Sequence, residues 1–205
     1  MWQPPRQERL LVRVVYPNMK NVFIISGPAG SGKDSIIDGL KLRLPIERII
    51  TTTTRAMRPG EYVGNPYYFV TRDSFESSLA AGEFAEHSTN ENGERYGVTK
   101  TELARISAIG RIAIWRVDWK GVNTIKKLFP EIPAIYIAAP IEVLEARLRA
   151  RDTGKDEAYF QERIAYTREW LQHLDIYDYQ VTNEEGHLDT AIEHVKEIIE
   201  SRLKK

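Results

Sequence analysis

A glycine-rich stretch near the start of the chain constrains the fold more than any other feature. Residues 27–33 have the sequence Gly-Pro-Ala-Gly-Ser-Gly-Lys, which meets the pattern G-x-x-x-x-G-K in full. An apolar run at 22–25 precedes it, and 36–42 carries apolar residues at helical spacing. A strand, a glycine-rich turn and a helix in this order form a phosphate-binding loop, in which backbone N–H groups surround a phosphate at the positive end of the helix. The sequence therefore predicts phosphate binding, with an ordinary strand-to-helix turn as the alternative.

The residue after the loop lysine departs from the usual pattern. Lys33 supplies a mobile positive charge for the outer phosphates, and a Ser or Thr normally follows it to place a hydroxyl on Mg²⁺. This chain has Asp34 there, followed by Ser35. An acidic side chain suits the first turn of a helix because it offsets the helix dipole, yet it repels a polyphosphate. Asp34 therefore either binds the metal as a carboxylate or weakens phosphate binding.

Composition excludes several classes of protein. The chain has 205 residues, which is enough for one sizeable domain with small inserts. Lys+Arg and Asp+Glu both number 29, and a formal net charge of zero argues against a general nucleic-acid binder. The lack of cysteine excludes disulfides and a cysteine-built zinc site, and it fits a reducing cytoplasm. Because no apolar run approaches the length that spans a bilayer, we expect a cytoplasmic protein without membrane contact.

Strands and helices alternate along most of the chain. Residues 1–18 follow no amphipathic pattern, and we expect an N-terminal extension there. Beyond the loop, apolar patterns predict strands at 47–51, 112–118, 134–138 and 177–181, and helices at 101–108, 122–128, 143–151, 158–174 and 188–203. This alternation predicts an α/β fold with a doubly wound parallel sheet.

One stretch, at about 52–98, interrupts the alternation. It contains short strands at 84–87 and 95–98, a short helix at 75–79, several turns and many aromatic residues. We therefore expect a small mixed α/β insert at about 52–98 in a core made of 19–51 and 99–205. Arg55 and Arg58 lie in a hydroxyl-rich segment that ends in Pro-Gly, where two arginines can converge on one oxyanion.

Taken together, these segments resemble the guanylate kinase family of nucleoside monophosphate kinases. The resemblance runs from about Met19 to the C-terminus. The matching motifs are the loop 27–33, the segment 53–61 with Gly64 and the aromatic residues 67–69, Tyr96-Gly97, Val117-Asp118-Trp119 with Gly121, the helical set Leu144, Arg147, Leu148 and Arg151, and Asn183. The resemblance implies a P-loop NTPase fold, as a monomer or homodimer, and Mg²⁺-dependent transfer of the γ-phosphoryl group of ATP to GMP and dGMP.

The resemblance also implies which residues bind the acceptor. Two arginines and two tyrosines are expected to contact its phosphate: Arg55, Arg58, Tyr67 and Tyr96. The residues expected to read the guanine base are Thr51, Glu86 and Asp118. A carboxylate accepts from the N1–H and 2-amino groups of guanine, which adenine lacks, so a buried acidic side chain selects strongly between the two bases.

On the donor side, the resemblance implies that ATP contacts the loop and two residues later in the chain. This set is Gly27, Pro28, Ala29, Gly30, Ser31, Gly32, Lys33, Asp34, Ser35, Arg147 and Asn183. A lid at about 151–158 is expected to close over the phosphates. The residues expected to carry catalysis are Lys33, Arg55, Arg151 and Arg163. Phosphoryl transfer needs mainly positioning and charge neutralisation, so no nucleophilic side chain is required.

Three positions depart from the family pattern. Asp34 replaces the expected hydroxyl, and Arg116 stands where the family usually has an acidic residue, two positions before Asp118. Val98 stands where a hydroxyl often helps to read guanine, and the adjacent Thr99 should point elsewhere on a strand. We hypothesise that Asp34 and Arg116 exchange charge, so that Asp34 either pairs with Arg116 or binds Mg²⁺ directly or through water.

Two alternative functions remain open at this stage. The sequence Gly-Lys-Asp-Ser at 32–35 is similar to ribose 1,5-bisphosphate kinases, relatives of guanylate kinase that need no guanine pocket. A guanylate-kinase-like binding module without catalysis is the other alternative. Glu86 and Asp118 favour a nucleotide base over the ribose bisphosphate, and Lys33 with both lid arginines favours an enzyme over a binding module.

Overall fold

The computed structural model describes residues 19–90 and 93–204. The predicted extension at 1–18 lies outside the described residues. In chain order the elements are β1 (Val22–Ser26), α1 (Lys33–Lys41), β2 (Ile46–Arg48), β3 (Thr51–Thr53), β4 (Tyr62–Val63), β5 (Pro66–Phe69), α2 (Arg72–Ala80), β6 (Phe84–Thr89), β7 (Arg95–Thr99), α3 (Lys100–Ile109), β8 (Ile112–Arg116), α4 (Trp119–Leu128), β9 (Ala134–Ala138), α5 (Ile141–Arg151), α6 (Glu157–Trp170), a 3₁₀ helix (Leu171–Ile176), β10 (Tyr179–Thr182) and α7 (Leu188–Leu203).

Five strands form a parallel sheet at the centre of the fold, in the order β10-β9-β1-β8-β2. β1 is buried along its whole length because helices cover both faces of the sheet. Phe23 and Ile25 pack in one apolar cluster with α1 and α7, whereas Val22 and Ile24 pack in another with α3 and α4. The predicted doubly wound parallel sheet is confirmed.

A second sheet, built from residues 51–99, has the order β4-β5-β3-β7-β6. β3 pairs in parallel with β5 and antiparallel with β7, and β7 pairs antiparallel with β6. The sheet is formed by the stretch in which the sequence predicts an insert with strands at 84–87 and 95–98. The division into core, insert and lid stays a prediction.

The predicted strand at 47–51 is wrong as a single element. Its first residues belong to β2 in the central sheet, and Thr51 begins β3 in the second sheet. The chain crosses between the sheets at Ile49 and Ile50, and the backbone N–H of Ile50 donates to the buried carboxylate of Glu102 at 2.8 Å. A side chain from α3 therefore supplies the acceptor that a continuous strand would have supplied.

Two other predicted elements end earlier than expected. The strand at 112–118 stops at Arg116, because Asp118 caps α4 by accepting from the backbone N–H of Gly121 at 2.8 Å. The helix at 158–174 stops at Trp170 and continues as the 3₁₀ helix, in which His173 has φ −121° and stacks on Trp119 with ring centroids 3.8 Å apart. Within 19–90 and 93–204, no helix is long and apolar enough to cross a membrane.

Candidate active site

A cavity of about 230 Å³ lies between the two sheets, beyond the carboxyl ends of β1 and β8. Its lining comes from four parts of the chain: Gly27, Ala29 and Lys33 of the loop, Thr51, Tyr67, Glu86 and Tyr96 of the second sheet, Arg116 and Asp118 at and after the end of β8, and Arg163 of α6. Open parallel sheets bind ligands at this edge. Residues predicted for the donor phosphates and for the acceptor therefore share one cavity.

The loop at 27–33 is packed so closely that side chains would not fit at its first glycines. A Cβ on Gly27 would lie 2.5 Å from the backbone oxygen of Ile137, and one on Gly30 would lie 2.8 Å from that of Leu144. Gly30 also has a φ of 86°, which favours glycine. The loop runs directly into α1, so the positive end of that helix faces the loop.

The loop lysine is poised to receive an anion. The Nζ of Lys33 donates to the backbone oxygen of Pro28 at 3.2 Å. Burial, with a further contribution from the charge of Arg116, lowers the pKa of Lys33 to about 8. A polyphosphate beside this amine would favour its charged form and so raise the pKa again.

Asp34 and Arg116 form the ion pair that the charge exchange hypothesis predicts. The Nε of Arg116 lies 2.8 Å from Oδ1 of Asp34, and its Nη2 donates to Oδ2 at 3.0 Å. Burial alone would raise the pKa of Asp34, but the charges of Arg116, Lys33 and Arg48 outweigh burial and lower it. The Nη1 of Arg116 donates to the hydroxyl of Tyr67. The alternative role of Asp34 as a metal ligand stays untested.

Two of the residues predicted to read the acceptor's base, both acidic, line the cavity. Glu86 is 4% exposed, and burial, followed by the negative charge of Asp118, raises the pKa of its carboxyl to about 8. Oδ2 of Asp118 accepts from the hydroxyl of Tyr166 at 3.4 Å while Oδ1 caps α4. Thr51 is buried at the start of β3 beside them. The cavity therefore offers carboxyl oxygens that can accept hydrogen bonds from a ligand.

Three of the four predicted acceptor-phosphate residues, Tyr67, Tyr96 and Arg55, lie close together. The rings of Tyr67 and Tyr96 meet edge to face with centroids 5.9 Å apart, and the guanidinium of Arg55 lies 5.2 Å from the centre of the Tyr67 ring. Arg55 is not in the cavity lining, because its Nη2 donates to both carboxylate oxygens of Glu61 at 2.7 and 2.9 Å. Glu61 also accepts from the backbone N–H of Arg58, whose side chain is exposed.

The two predicted lid arginines differ in position. Arg163 lines the cavity, with its guanidinium 5.2 Å from the centre of the Tyr159 ring. Arg151 lies outside the lining, where its Nε and Nη2 each donate to Asp152 at 2.8 Å. Hydrogen bonds from Arg151 and Tyr159 lower the pKa of Asp152 to about 2. The carboxylate of Asp152 therefore stays ionised at neutral pH and pairs with Arg151 in this structure.

A second cleft, of about 240 Å³, contains the other predicted donor residues. Gly32 and Ser35 of the loop region line it together with Arg147 and Asn183. The buried amide of Asn183 donates to the backbone oxygen of Ser31 at 2.8 Å, and Arg147 pairs with Glu185 at 2.8 Å. The loop therefore contributes residues to both the cavity and the cleft.

Sequence reasoning missed several lining residues. Ser88 and Asn90 line the cavity together with Glu86. These three residues are spaced two apart, as on one face of a strand, although Asn90 lies one residue beyond the end of β6. Tyr166 follows Arg163 by one helical turn on α6 and lines the same cavity. The periodicity of strand and helix would have found all of these residues.

Comparison with known proteins gives one consistent result. The sequence model of the guanylate kinase family matches residues 19–202. The chain is 37% identical to a guanylate kinase of Alcanivorax borkumensis over 183 residues, covering 88% of this chain and 86% of that protein. It is 36% identical to a guanylate kinase of Coxiella burnetii over 184 residues, covering 89% of this chain and 87% of that protein. The crystal structure of a guanylate kinase from Anaplasma phagocytophilum superposes with a TM-score of 0.71 at 27% identity, covering 90% of this chain and 87% of that one.

Proposed function

This chain belongs to the guanylate kinase family, and from that membership we propose that it transfers the γ-phosphoryl group of ATP to GMP, and to dGMP, giving ADP and the diphosphate. One observation carries the proposal: the loop lysine and the two acidic residues suited to guanine line the same cavity. Lys33 lies at its donor end, and Glu86 and Asp118 lie at its acceptor end. A phosphoryl group passing from ATP to GMP would then lie between Lys33 and these two acidic residues.

Guanine is selected by acceptors that adenine cannot satisfy. The carboxylates of Glu86 and Asp118 accept from N1–H and the 2-amino group, and Thr51 adds a hydroxyl beside them. Adenine has no hydrogen on N1 and no 2-amino group, so it would leave a buried carboxylate unpaired. Val98 lies fully buried in the apolar core and offers nothing to the base.

Phosphoryl transfer in this site depends on positioning and positive charge. Lys33 and Arg163 line the cavity, and Arg55 and Arg151 stand at its margin, each held by a neighbouring carboxylate. We propose that both margin arginines leave these carboxylates when the nucleotides bind and the lid at about 151–158 closes. Closure would exclude water and concentrate charge on the phosphoryl group in transit, which needs no covalent intermediate.

Magnesium is proposed to arrive with the phosphates of ATP. In 19–90 and 93–204, no group of three or more acidic or histidine side chains could hold a metal ion, and both carboxylate oxygens of Asp34 are engaged by Arg116. The proposal therefore does not require Asp34 as a ligand, and its role at the metal stays a prediction. Mg²⁺ binds phosphates readily and keeps several waters, and it would neutralise charge on the donor.

A coupled kinase assay with ATP and Mg²⁺ tests the proposal by comparing acceptors. We expect turnover with GMP and dGMP, with kcat/KM for GMP at least about a hundredfold above that for AMP or UMP. Lys33→Met should lower kcat by roughly a hundredfold or more, because one preorganised charge at the phosphates is lost. Ribose 1,5-bisphosphate belongs in the same panel, because Asp34 after Lys33 favours that second acceptor. Turnover of the ribose bisphosphate and not of GMP would contradict the proposal.

A further inference from the structure

Arg116 is placed at the junction of the donor and acceptor parts of the cavity. It is the last residue of β8 and pairs in register with Ile25 of β1, next to the start of the loop. Its side chain is 26% exposed and lines the cavity together with Lys33 and Tyr67. A permanent cation thus stands between the loop lysine and a residue predicted to hold the acceptor's phosphate.

Asp34 fixes the orientation of this guanidinium. Nη2 of Arg116 donates to Oδ2 of Asp34 at 3.0 Å, and Nε lies 2.8 Å from Oδ1 in the same ion pair without forming a hydrogen bond. The ion pair holds this side of the guanidinium at Asp34, and Nη1 donates to Tyr67. The charge of Asp34 also allows Arg116 to lie close to Lys33, although both are cations.

The contact with Tyr67 determines where the phenol proton points. A guanidinium has only donors, so the Tyr67 oxygen must accept from Nη1. The hydroxyl's own proton is then left to donate to another group. The Tyr67 ring is held by edge contacts to Phe69 and Tyr96, each with centroids 5.9 Å apart, and the residue lines the cavity. The free O–H of Tyr67 is therefore available to an anion inside it.

We propose that Arg116 is a positioning residue for the acceptor's phosphate, acting through Tyr67. Paired with Asp34, it holds the Tyr67 hydroxyl as a donor to the phosphate of the bound nucleoside monophosphate. This inference rests on the proposed function, because it requires a phosphate beside Tyr67. The family usually has an acidic residue at this position, two residues before Asp118, so the family pattern does not predict this role for Arg116.

Calorimetric titrations with GMP and with guanosine separate this role from a structural one. Arg116→Met should raise the Kd of GMP roughly tenfold or more, because a charge-assisted hydrogen-bond system at the phosphate is lost. The Kd of guanosine, which has the base and no phosphate, should stay within about twofold of the wild-type value. Equal loss for both ligands, or an unchanged Kd of GMP, would overturn the inference.

A double-mutant cycle tests whether Arg116 acts through Tyr67. Tyr67→Phe should raise the Kd of GMP by a similar factor. The double variant, Arg116→Met with Tyr67→Phe, should have a Kd of GMP no more than about twofold above that of the single variant that binds GMP less tightly. Full additivity of the two losses would mean that Arg116 does not work through Tyr67. Arg116→Lys keeps the charge without the guanidinium that contacts both Asp34 and Tyr67, and we expect it to recover only part of the affinity; full recovery would contradict the positioning role.

Arg48 provides a matched control. Its Nη2 lies 3.9 Å from Asp34 and donates to Asp38 at 3.0 Å, and it does not line the cavity. Arg48→Gln should leave the GMP and guanosine affinities within about twofold of wild type. If the wild-type protein bound GMP no better than guanosine, the inference would fail together with the proposed function. If the wild-type protein turned over GMP and Arg116→Met bound it equally well, only the inference would fail.

Discussion

If Glu86 reads the guanine base as proposed, acceptor binding must depend on pH. Burial, together with the nearby charge of Asp118, raises the pKa of its carboxyl to about 8. The free protein therefore holds the protonated acid at neutral pH. Guanine presents two N–H donors, so the bound form of Glu86 is the carboxylate. Binding below this pKa must consequently release a proton from Glu86.

We expect GMP affinity to rise with pH until Glu86 is ionised. From about pH 6.5 to about pH 8, the Kd of GMP should fall by up to roughly tenfold per pH unit, and it should level off above that. Glu86→Gln should remove this dependence and bind GMP more weakly at high pH. The phosphate of GMP titrates equally in both titration series, so the difference between the variants isolates Glu86. A wild-type Kd that followed the Glu86→Gln curve would contradict this assignment.

At the residue scale, the sequence predicted one ion pair between two residues that both depart from the family pattern. Asp34 and Arg116 are far apart in the sequence and opposite in charge, and they form the ion pair that was one of the two expected arrangements. The sequence did not predict that Glu61 would hold Arg55. That contact depends on how the turn at Gly60, with φ 85°, returns the chain towards Arg55. Such a return is not visible in a pattern of residue types.

Asp118 serves two elements at once. Its Oδ1 accepts from the backbone N–H of Gly121 and caps α4, and the residue lines the cavity where the base is proposed to bind. The cap and the reading of the base make different demands. A cap needs only a short acceptor, which Asn also supplies, whereas guanine recognition needs a carboxylate.

Two substitutions at this position should separate the roles. Asp118→Asn should keep the free energy of unfolding within about 0.5 kcal/mol of wild type and raise the KM for GMP, whereas Asp118→Ala should do the same to the KM and also cost about 1 kcal/mol. Urea unfolding and steady-state kinetics measure the two effects. Thr71→Ala removes the cap of α2, which accepts from Ser74 at 3.2 Å, and should cost about 1 kcal/mol with the KM unchanged. A normal KM in Asp118→Asn would exclude Asp118 from base recognition.

At the element scale, the sequence predicted long periodic segments well and misjudged where they stop. The closing helix at 188–203 and the strand at 134–138 have the predicted bounds. The helix at 158–174 was overestimated because its apolar residues continue past Trp170, while the backbone at His173 leaves the helical region to stack on Trp119. A long-range contact therefore ends the helix, and no local residue pattern announces it.

An ionic network joins α3 to β2 and to the point where the chain crosses between the two sheets. Glu102 is 4% exposed and accepts from the backbone N–H of Ile50, at the crossing between the sheets, and from Arg105. Arg105 in turn donates to Glu47 and to the backbone oxygen of Arg48. The network therefore holds α3 against β2 where the chain leaves the central sheet.

Removing the centre of this network should destabilise the protein. We expect Glu102→Ala to lower the free energy of unfolding by about 2 kcal/mol, because the backbone N–H of Ile50 loses its acceptor and Arg105 loses one of its two carboxylate partners. Urea unfolding measures the change. Glu197→Ala, at an exposed position on α7, should stay within about 0.5 kcal/mol of wild type. A loss of less than about 1 kcal/mol in Glu102→Ala would show that the network does not stabilise the crossing between the sheets.

At the scale of the whole molecule, direct phosphoryl transfer requires the donor and acceptor sites to meet in one cavity. The most direct test is calorimetric binding of a bisubstrate analogue in which adenosine and guanosine are joined through a chain of phosphates. If the sites are continuous, its Kd should lie at least about a hundredfold below that of ATP or GMP alone, because the second contact becomes intramolecular. Lys33→Met and Glu86→Gln should each remove most of the affinity that the analogue gains over ATP or GMP alone. An analogue that binds no more tightly than ATP would contradict the shared cavity as the place of phosphoryl transfer.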